Sequence, residues 1–158
     1  MAHRLPNFDN MAANYPIGSA AEVKTAVGGN VDAAWITNTC VVRVSQALNY
    51  GGDPIVAATG LLTVSGVDKK RYALRVKEFR KYMVSRYGKP SVVAVKGSSG
   101  LIDRSSFNGK RGIICFEVKG WTDATGHFSL WNGSSVLYDG GHDYFGGLAH
   151  EAALWEAG

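Results

Sequence analysis

The clearest helical pattern of hydrophobic positions begins near Asn38, a favourable N-cap residue. Val41, Val44, Ser45 and Leu48 occupy positions i, i+3, i+4 and i+7, which gives one mostly apolar stripe. A pair of glycines at 51–52 ends the pattern. The spacing predicts a helix over residues 38–49 whose stripe faces the core.

A second helical pattern extends over residues 68–87. Its apolar members recur at steps of three and four residues and comprise Tyr72, Val76, Phe79, Met83 and Tyr87. The opposite face is rich in Lys and Arg, which indicates a solvated surface. Gly88 stands at the C′ position and Pro90 prevents the helix from continuing.

The later part of the chain is richer in β-branched residues and tight turns. Strands are predicted over residues 91–96, 112–118, 126–131 and 135–140. The last two flank Asn132-Gly133, which is typical of a hairpin turn. The tail, 148–156, is predicted to form a last short helix. Helices followed by antiparallel strands predict an α+β fold, with N-terminal helices packed on a small antiparallel sheet.

Composition restricts the class of protein. The chain has 158 residues, of which 46% are hydrophobic and 19% charged, and this balance excludes disordered, collagen-like and coiled-coil proteins. The length suits a single domain over residues 1–158. No stretch approaches the ~20 apolar residues that cross a bilayer, so no membrane insertion is expected. The N-terminus lacks the apolar run of a cleavable signal peptide.

Charge and cysteine content limit the kinds of binding partner and cofactor that the chain is expected to have. The formal net charge of +4 and the pI of about 9.1 suit an acidic polymer, but equally an ordinary solvated surface. No Lys/Arg-rich block alternates with aromatic residues, so no nucleic-acid partner is expected. Two cysteines are too few for a disulfide framework or a four-cysteine zinc site, and no cofactor or metal is expected. Cys115 lies in an apolar run, which indicates a small buried hydrophobe.

Cys40 lies in a different setting, in the first turn of the first predicted helix. The unpaired N–H groups and the positive dipole end of a helix favour a thiolate over a thiol, and the thiolate is the nucleophile. The same N–H groups suit a developing oxyanion. The alternative is that Cys40 is only a small residue that fits there.

A thiolate enzyme also needs a base, and His127 is the best placed histidine because it begins a predicted hairpin strand. His3, His142 and His150 are expected to be solvated. A three-residue hairpin loop, 132–134, leaves one consistent apolar face, whereas a two-residue loop mixes polar residues into it. The three-residue register pairs Phe128 with Tyr138 and Leu130 with Val136.

That register also sets His127 directly opposite Asp139. A carboxylate at that distance fixes the imidazole tautomer and stabilises the imidazolium. The alternative is a histidine and an aspartate that both face water. Because His142 and Asp143 follow closely, the third member of a triad stays open between Asp139 and Asp143.

Two segments carry a family resemblance. Residues 35–49, WITNTCVVRVSQALN, contain the pattern Asn-x-Cys-x-x-Arg-x-Ser-x-x-Leu-Asn, and residues 120–133, GWTDATGHFSLWNG, contain Gly-His-x-x-Leu-Trp-(Asp/Asn)-Gly. The chain resembles the fourth family of type VI secretion amidase effectors in these two motifs, in their order and separation, and in the length of the whole chain.

The resemblance implies a papain-like fold of the NlpC/P60 kind, with Cys40 as nucleophile, His127 as general base and Asp139 as orienting acid. It implies cleavage of peptidoglycan peptide stems between γ-linked D-glutamate and meso-diaminopimelate. Some members carry a disulfide near the loop after the histidine strand, and this chain has no cysteine there.

The resemblance also implies partners and a location. The protein would be made in the cytoplasm and delivered by the type VI secretion apparatus to the periplasm of a target cell, which agrees with the missing signal peptide. A cognate periplasmic immunity protein would block its cleft.

Candidate stem-binding residues come from the same motifs: Trp35, Asn38, Arg43, Gly126 and Ser129. Arg43 is predicted either to bind the carboxylates of the stem or to form a structural ion pair. Trp35, like Trp121 and Trp131, is predicted either to line the cleft or to pack in the core. Two other functions stay open, an acyltransferase with the same triad and a non-catalytic binding module on the same scaffold.

Overall fold

The computed structural model of the chain describes residues 3–118, 126–138, 144–146 and 148–158. The helices of this part are α1 (Phe8–Ala13), α2 (Ala20–Val27), α3 (Cys40–Gly51) and α4 (Val76–Tyr87), with 3₁₀ turns at Gly29–Val31, Arg104–Phe107 and Tyr144–Gly146. The strands are β1 (Thr63–Ser65), β2 (Arg71–Ala73), β3 (Val92–Val95), β4 (Gly112–Glu117), β5 (Gly126–Trp131) and β6 (Glu151–Glu156). The prediction of an α+β fold is therefore confirmed.

The main sheet has the antiparallel order β3-β6-β4-β5, which leaves β5 at an edge. The prediction of a helix over 148–156 is wrong, because this tail forms the central strand β6. Its run Ala152-Ala153-Leu154-Trp155 is buried throughout. A strand covered on both faces reads as a continuous apolar run, and periodicity does not distinguish such a run from a buried helix.

The second predicted helix begins eight residues too early. Only Val76–Tyr87 is helical, and residues 71–73 form β2, which pairs with β1 in a small separate hairpin. The Asp68 carboxylate accepts the N–H of Lys70 (2.9 Å), and Lys69 has φ +66°, so this segment makes a turn rather than a helix start. Tyr72 is buried in the cluster under this hairpin.

The N-terminal helices α1 and α2 have no counterpart in the sequence prediction. Both are short, and each is capped by a side chain: Asn7 accepts the N–H of Asn10, and Ser19 with Glu22 forms a reciprocal capping box. Local capping therefore stabilises helices that are too short to show a convincing hydrophobic period.

The hairpin register also differs from the prediction. Within the described part of 135–140, residues 135–138, a single bridge joins Trp131 to Val136, and the N–H of Leu137 donates to the carbonyl of Leu130 (3.0 Å). The loop is thus four residues long, not three. Its first residue, Asn132, accepts the N–H groups of both Ser134 and Ser135 with its side chain, which closes the longer turn.

Two cores cover the two faces of the sheet. On one face, α1, α3 and α4 pack on β4, β5 and β6, and the predicted stripe of α3 is buried, with Val41, Val44 and Leu48 in this core. On the other face lies an aromatic cluster around Phe107 and Trp131. Cys115 is buried in the first core, as predicted. In the described ranges, no helix has the length and apolar character needed to span a membrane.

Candidate active site

Cys40 is the first residue of α3. The helix starts two residues later than predicted: Thr39 occupies the N-cap position without a capping side-chain bond, and Asn38 Oδ1 accepts the N–H of Cys40 (3.0 Å). This contact within a short turn takes up one of the donors that a helix leaves unpaired at its start. Cys40 is only 2% exposed and faces the core between α3 and the sheet.

His127 lies near the start of the edge strand β5, where the sequence predicts it. It is 4% exposed, and its Nε2 is 2.8 Å from the backbone carbonyl oxygen of Tyr138. Because a carbonyl only accepts, Nε2 carries the proton of the neutral imidazole, and Nδ1 is then the basic nitrogen. The ring stacks on Tyr144, with centroids 4.7 Å apart and planes 8° from parallel.

The structure brings Cys40 to the strand that carries His127. The backbone N–H of Phe128, the residue after His127, lies close enough to the Cys40 sulfur to lower the pKa of that thiol. Phe128 and Cys40 belong to the same core cluster. Cys40 therefore packs against the residue next to His127, where the start of α3 meets the edge strand β5.

Burial raises the pKa of the Cys40 thiol to about 11. Hydrogen bonds from Phe128, Val41 and Asn38 and the charge of Arg43 act in the opposite direction, but they do not outweigh the desolvation of the sulfur. The expectation that the helix N-terminus makes Cys40 a thiolate is therefore wrong for this state. The resting sulfur is a thiol, and a base has to remove its proton.

Arg43 lies one turn after Cys40 and is fully buried. Its Nε donates to Thr39 Oγ1 (3.2 Å), its Nη1 donates to the carbonyl of Pro16 (3.2 Å), and its Cζ lies 3.6 Å from the centroid of the Tyr138 ring. A guanidinium held in this way presents no surface to a stem carboxylate. Of the two interpretations of Arg43, the structure favours the structural one, although its partners within the described ranges are not carboxylates.

The other candidate stem-binding residues differ in exposure. Trp35 is 60% exposed, whereas Ser129 is fully buried and lies 3.2 Å from the hydroxyl of Tyr15. A Cβ added to Gly126 would lie 1.8 Å from the carbonyl oxygen of Phe116. The glycine therefore serves the close approach of β4 and β5 that fixes the start of the His127 strand.

Some of the candidate site residues lie outside the part of the chain that the structure describes. They are Trp121, Asp139, His142 and Asp143. Of the other histidines, His3 is exposed, and His150 is half-buried with Nε2 3.4 Å from a carboxylate oxygen of Glu117. Within the described ranges, no group of three or more His, Cys, Asp or Glu side chains is arranged to hold a metal ion.

Tyr15 and Tyr138 complete the site, and sequence reasoning missed their part in it. The burial of Tyr15 raises the pKa of its hydroxyl, while a hydrogen bond with Ser129 and the charge of Arg43 oppose that rise. Tyr15 reaches Ser129 across 114 positions of sequence, so no local pattern reveals the contact.

The family model for type VI secretion system amidase effector protein 4, Tae4, matches residues 36–155. The chain belongs to the Tae4 family. The match includes Cys40 and His127, and membership makes the chain an amidase effector of the type VI secretion system, hence a hydrolase. No curated protein gives a significant match.

Solved Tae4 structures have the same fold. The Tae4 effector from Enterobacter cloacae is 33% identical, with a TM-score of 0.85 and full coverage of both chains. The Tae4–Tai4 effector–immunity complex from Salmonella Typhimurium matches at 30% identity and a TM-score of 0.84, over 97% of this chain and 99% of that one. Salmonella typhimurium Tae4 in complex with the immunity protein Tai4 from Enterobacter cloacae matches at 32% identity and a TM-score of 0.82, with the same coverage.

Proposed function

We propose that this protein hydrolyses the peptide stems of peptidoglycan between γ-linked D-glutamate and meso-diaminopimelate, with Cys40, His127 and Asp139 as its triad. The observation that carries the proposal is the meeting of Cys40 with the His127 strand, where the N–H of Phe128 reaches the sulfur. The Tae4 family match supports the amidase class. The bond that is cut follows from the family resemblance of the two motifs.

The protonated resting thiol determines the first step. As the sulfur attacks the amide carbonyl, His127 accepts the thiol proton on Nδ1, and a tetrahedral intermediate forms. The imidazolium then gives this proton to the departing amine, the C–N bond breaks, and a thioester remains. His127 next takes a proton from water as the oxygen attacks the thioester, the C–S bond breaks to release the acid, and the imidazolium returns the proton to the Cys40 sulfur.

Asn38 contributes to this chemistry through its amide. Its side chain lowers the pKa of the Cys40 thiol, and its Oδ1 accepts the N–H of Cys40. An amide donor beside the attacking sulfur is placed to stabilise the oxyanion that develops on the attacked carbonyl. Asn38 therefore acts beside the reacting atoms, and exposed Trp35 is available for contacts with the stem.

Asp139 is proposed as the third member of the triad. It follows Tyr138, whose carbonyl receives Nε2–H of His127, directly in the sequence. Its carboxylate supplies the negative charge that stabilises the imidazolium during turnover. Replacement of Asp139 and of Asp143 by Asn, one at a time, distinguishes the two candidates, because only loss of the true partner abolishes turnover.

The biological setting follows from the same family. We propose that residues 1–158 act as one amidase domain, which the type VI secretion apparatus delivers as an antibacterial toxin to the periplasm of a target cell. A cognate immunity protein protects the producing cell, in line with the solved complexes of Tae4 with Tai4.

Digestion of purified Gram-negative sacculi tests the proposed reaction. Mass spectrometry of the products should show stems cut after γ-D-glutamate, with no such products from the Cys40→Ala variant. New cross-linked peptides would instead indicate an acyltransferase, and an unchanged sacculus with the folded wild-type protein would overturn the proposal in favour of a binding module.

A further inference from the structure

The burial of Arg43 requires an explanation. The side chain is fully buried, yet no Asp or Glu in the described part of the chain forms an ion pair with it. Among these residues its Nη2 also lacks a hydrogen-bond partner. A buried charge without a counter-charge is costly, so other groups must stabilise this guanidinium.

The ring of Tyr138 is one such group. Arg43 Cζ lies 3.6 Å from its centroid, and the negative face of an aromatic ring attracts a desolvated cation. Because Thr39 and Pro16 fix the guanidinium from the other side, the contact also holds the ring in place.

The backbone of Tyr138 is held on both sides as well. Its N–H donates to Ser129 Oγ (3.3 Å), and its carbonyl accepts Nε2–H of His127 (2.8 Å). The hydroxyl of Tyr15 lies 3.2 Å from Ser129 Oγ and supports that acceptor. In the described part of this hairpin, the last bridge is at Val136, so these side chains, rather than a strand ladder, position Tyr138.

We infer that Arg43 and Ser129 are positioning residues that act on His127 through Tyr138. They hold the carbonyl of Tyr138 where it accepts Nε2–H, and this contact fixes the tautomer in which Nδ1 is the basic nitrogen. The catalytic part of this inference rests on the proposed function. The tautomer itself is a property of the folded protein and does not depend on any substrate.

The test compares Tyr138→Leu with Tyr138→Phe in the full-length protein. The Phe variant keeps the ring on which Arg43 stacks and should therefore lose much less activity than the Leu variant. The Leu variant should lower kcat about 10²-fold with little change in KM, since general base catalysis contributes about 10²–10⁴-fold. It should also shift the pH profile of kcat/KM, which a purely structural role would leave unchanged.

A second measurement does not depend on activity. The ¹⁵N chemical shifts of the His127 ring should report the Nε2–H tautomer in the wild type and in Tyr138→Phe, and a mixture of tautomers in Tyr138→Leu and Arg43→Met. If the wild type does not cleave peptidoglycan stems, the proposed function is wrong. The chemical shifts of His127 still test the inference in that case. An unchanged tautomer and pH profile in folded Tyr138→Leu would overturn it.

Ser129 provides a milder variant if the Leu and Met substitutions prevent folding. Ser129→Ala removes the acceptor of the Tyr138 N–H, together with the contact between this hydroxyl and Tyr15, and should lower kcat about 10-fold. Ser129→Thr keeps a hydroxyl and should restore most of the activity. Equal activity and tautomer in the two Ser129 variants would also contradict the inference.

Discussion

Cys40 and Cys115 contact the same residue, Phe128, from different elements. Cys115 on β4 is its cross-strand partner, whereas the sulfur of Cys40 at the start of α3 receives its N–H. Both side chains are almost wholly buried, and burial raises the pKa of both thiols. Burial therefore does not distinguish the proposed nucleophile from the core residue.

The groups around each sulfur make the difference. The pKa of Cys40 is lowered by donors from Phe128, Val41 and Asn38 at a helix start, whereas that of Cys115 is lowered by the side chain of Arg80. Donors that converge on a sulfur also suit the charge that develops when it attacks a carbonyl. A cysteine nucleophile is thus recognised by its converging donors, even where its resting thiol is protonated.

Replacing each cysteine by alanine is the strongest test of this difference. Cys40→Ala should lower turnover of peptidoglycan stems by about 10⁴-fold or more, because the nucleophile is lost. Cys115→Ala should leave kcat within about 2-fold and lower the free energy of unfolding by about 1–2 kcal/mol, because it leaves a small cavity in the core.

Steady-state kinetics and urea unfolding measure the two effects. The wild type provides the reference for both, and circular dichroism confirms that each variant is folded. Loss of turnover in well-folded Cys115→Ala, or its retention in Cys40→Ala, would reverse the assignment of the two cysteines.

The sequence predicts one part of this site much better than the other. Cys40 and His127 stand in short motifs whose residue types have a chemical meaning, and both occur on the predicted kinds of element. Arg43 and Tyr138 are different, because a charged residue in a helix suggests a solvated face and a cation–ring contact between distant segments leaves no local pattern.

The errors in the fold have more than one origin. The strand β6 is buried on both faces, so tertiary burial overrides its local pattern. At Asp68–Lys70 a local side-chain contact closes a turn and interrupts a helical period that continues through Tyr72. The hairpin register is wrong by one residue because the side chain of Asn132 closes a longer loop than the dipeptide Asn-Gly suggests.

A substitution at Asn38 tests the role of the donors at Cys40. Asn38→Asp keeps an oxygen for the N–H of Cys40 but replaces the amide donor with a carboxylate beside the sulfur. Loss of one oxyanion donor costs about 10²–10³-fold in kcat, and a decrease of this size is expected here.

The matched variant Asn38→Ala separates chemistry from folding. It removes both contacts, so it should lose activity and also about 1 kcal/mol of stability through the weaker helix start. Asn38→Asp should unfold within about 0.5 kcal/mol of the wild type. Full activity of Asn38→Asp would show that the amide takes no part in the reaction.

The smallest expected effect is in the stability at alkaline pH. The pKa of an unfolded thiol is about 8.5, and that of Cys40 in the folded protein is about 11, so between these values the unfolded state releases its proton first. The unfolded state then binds fewer protons than the folded one, and stability falls as pH rises. At pH 10 the loss attributable to Cys40 is about 2 kcal/mol. Urea unfolding at pH 7.5 and pH 10 measures this loss of stability, and Cys40→Ala should lose correspondingly less than the wild type. Cys115→Ala shows in the same way how much of the loss comes from the Cys115 thiol. Equal pH dependence of the wild type and Cys40→Ala would mean that folding does not raise the pKa of the Cys40 thiol. A larger loss of stability in Cys40→Ala than in the wild type would mean that this thiol is already ionised at neutral pH, and the two cysteines would then differ at rest as well as during attack.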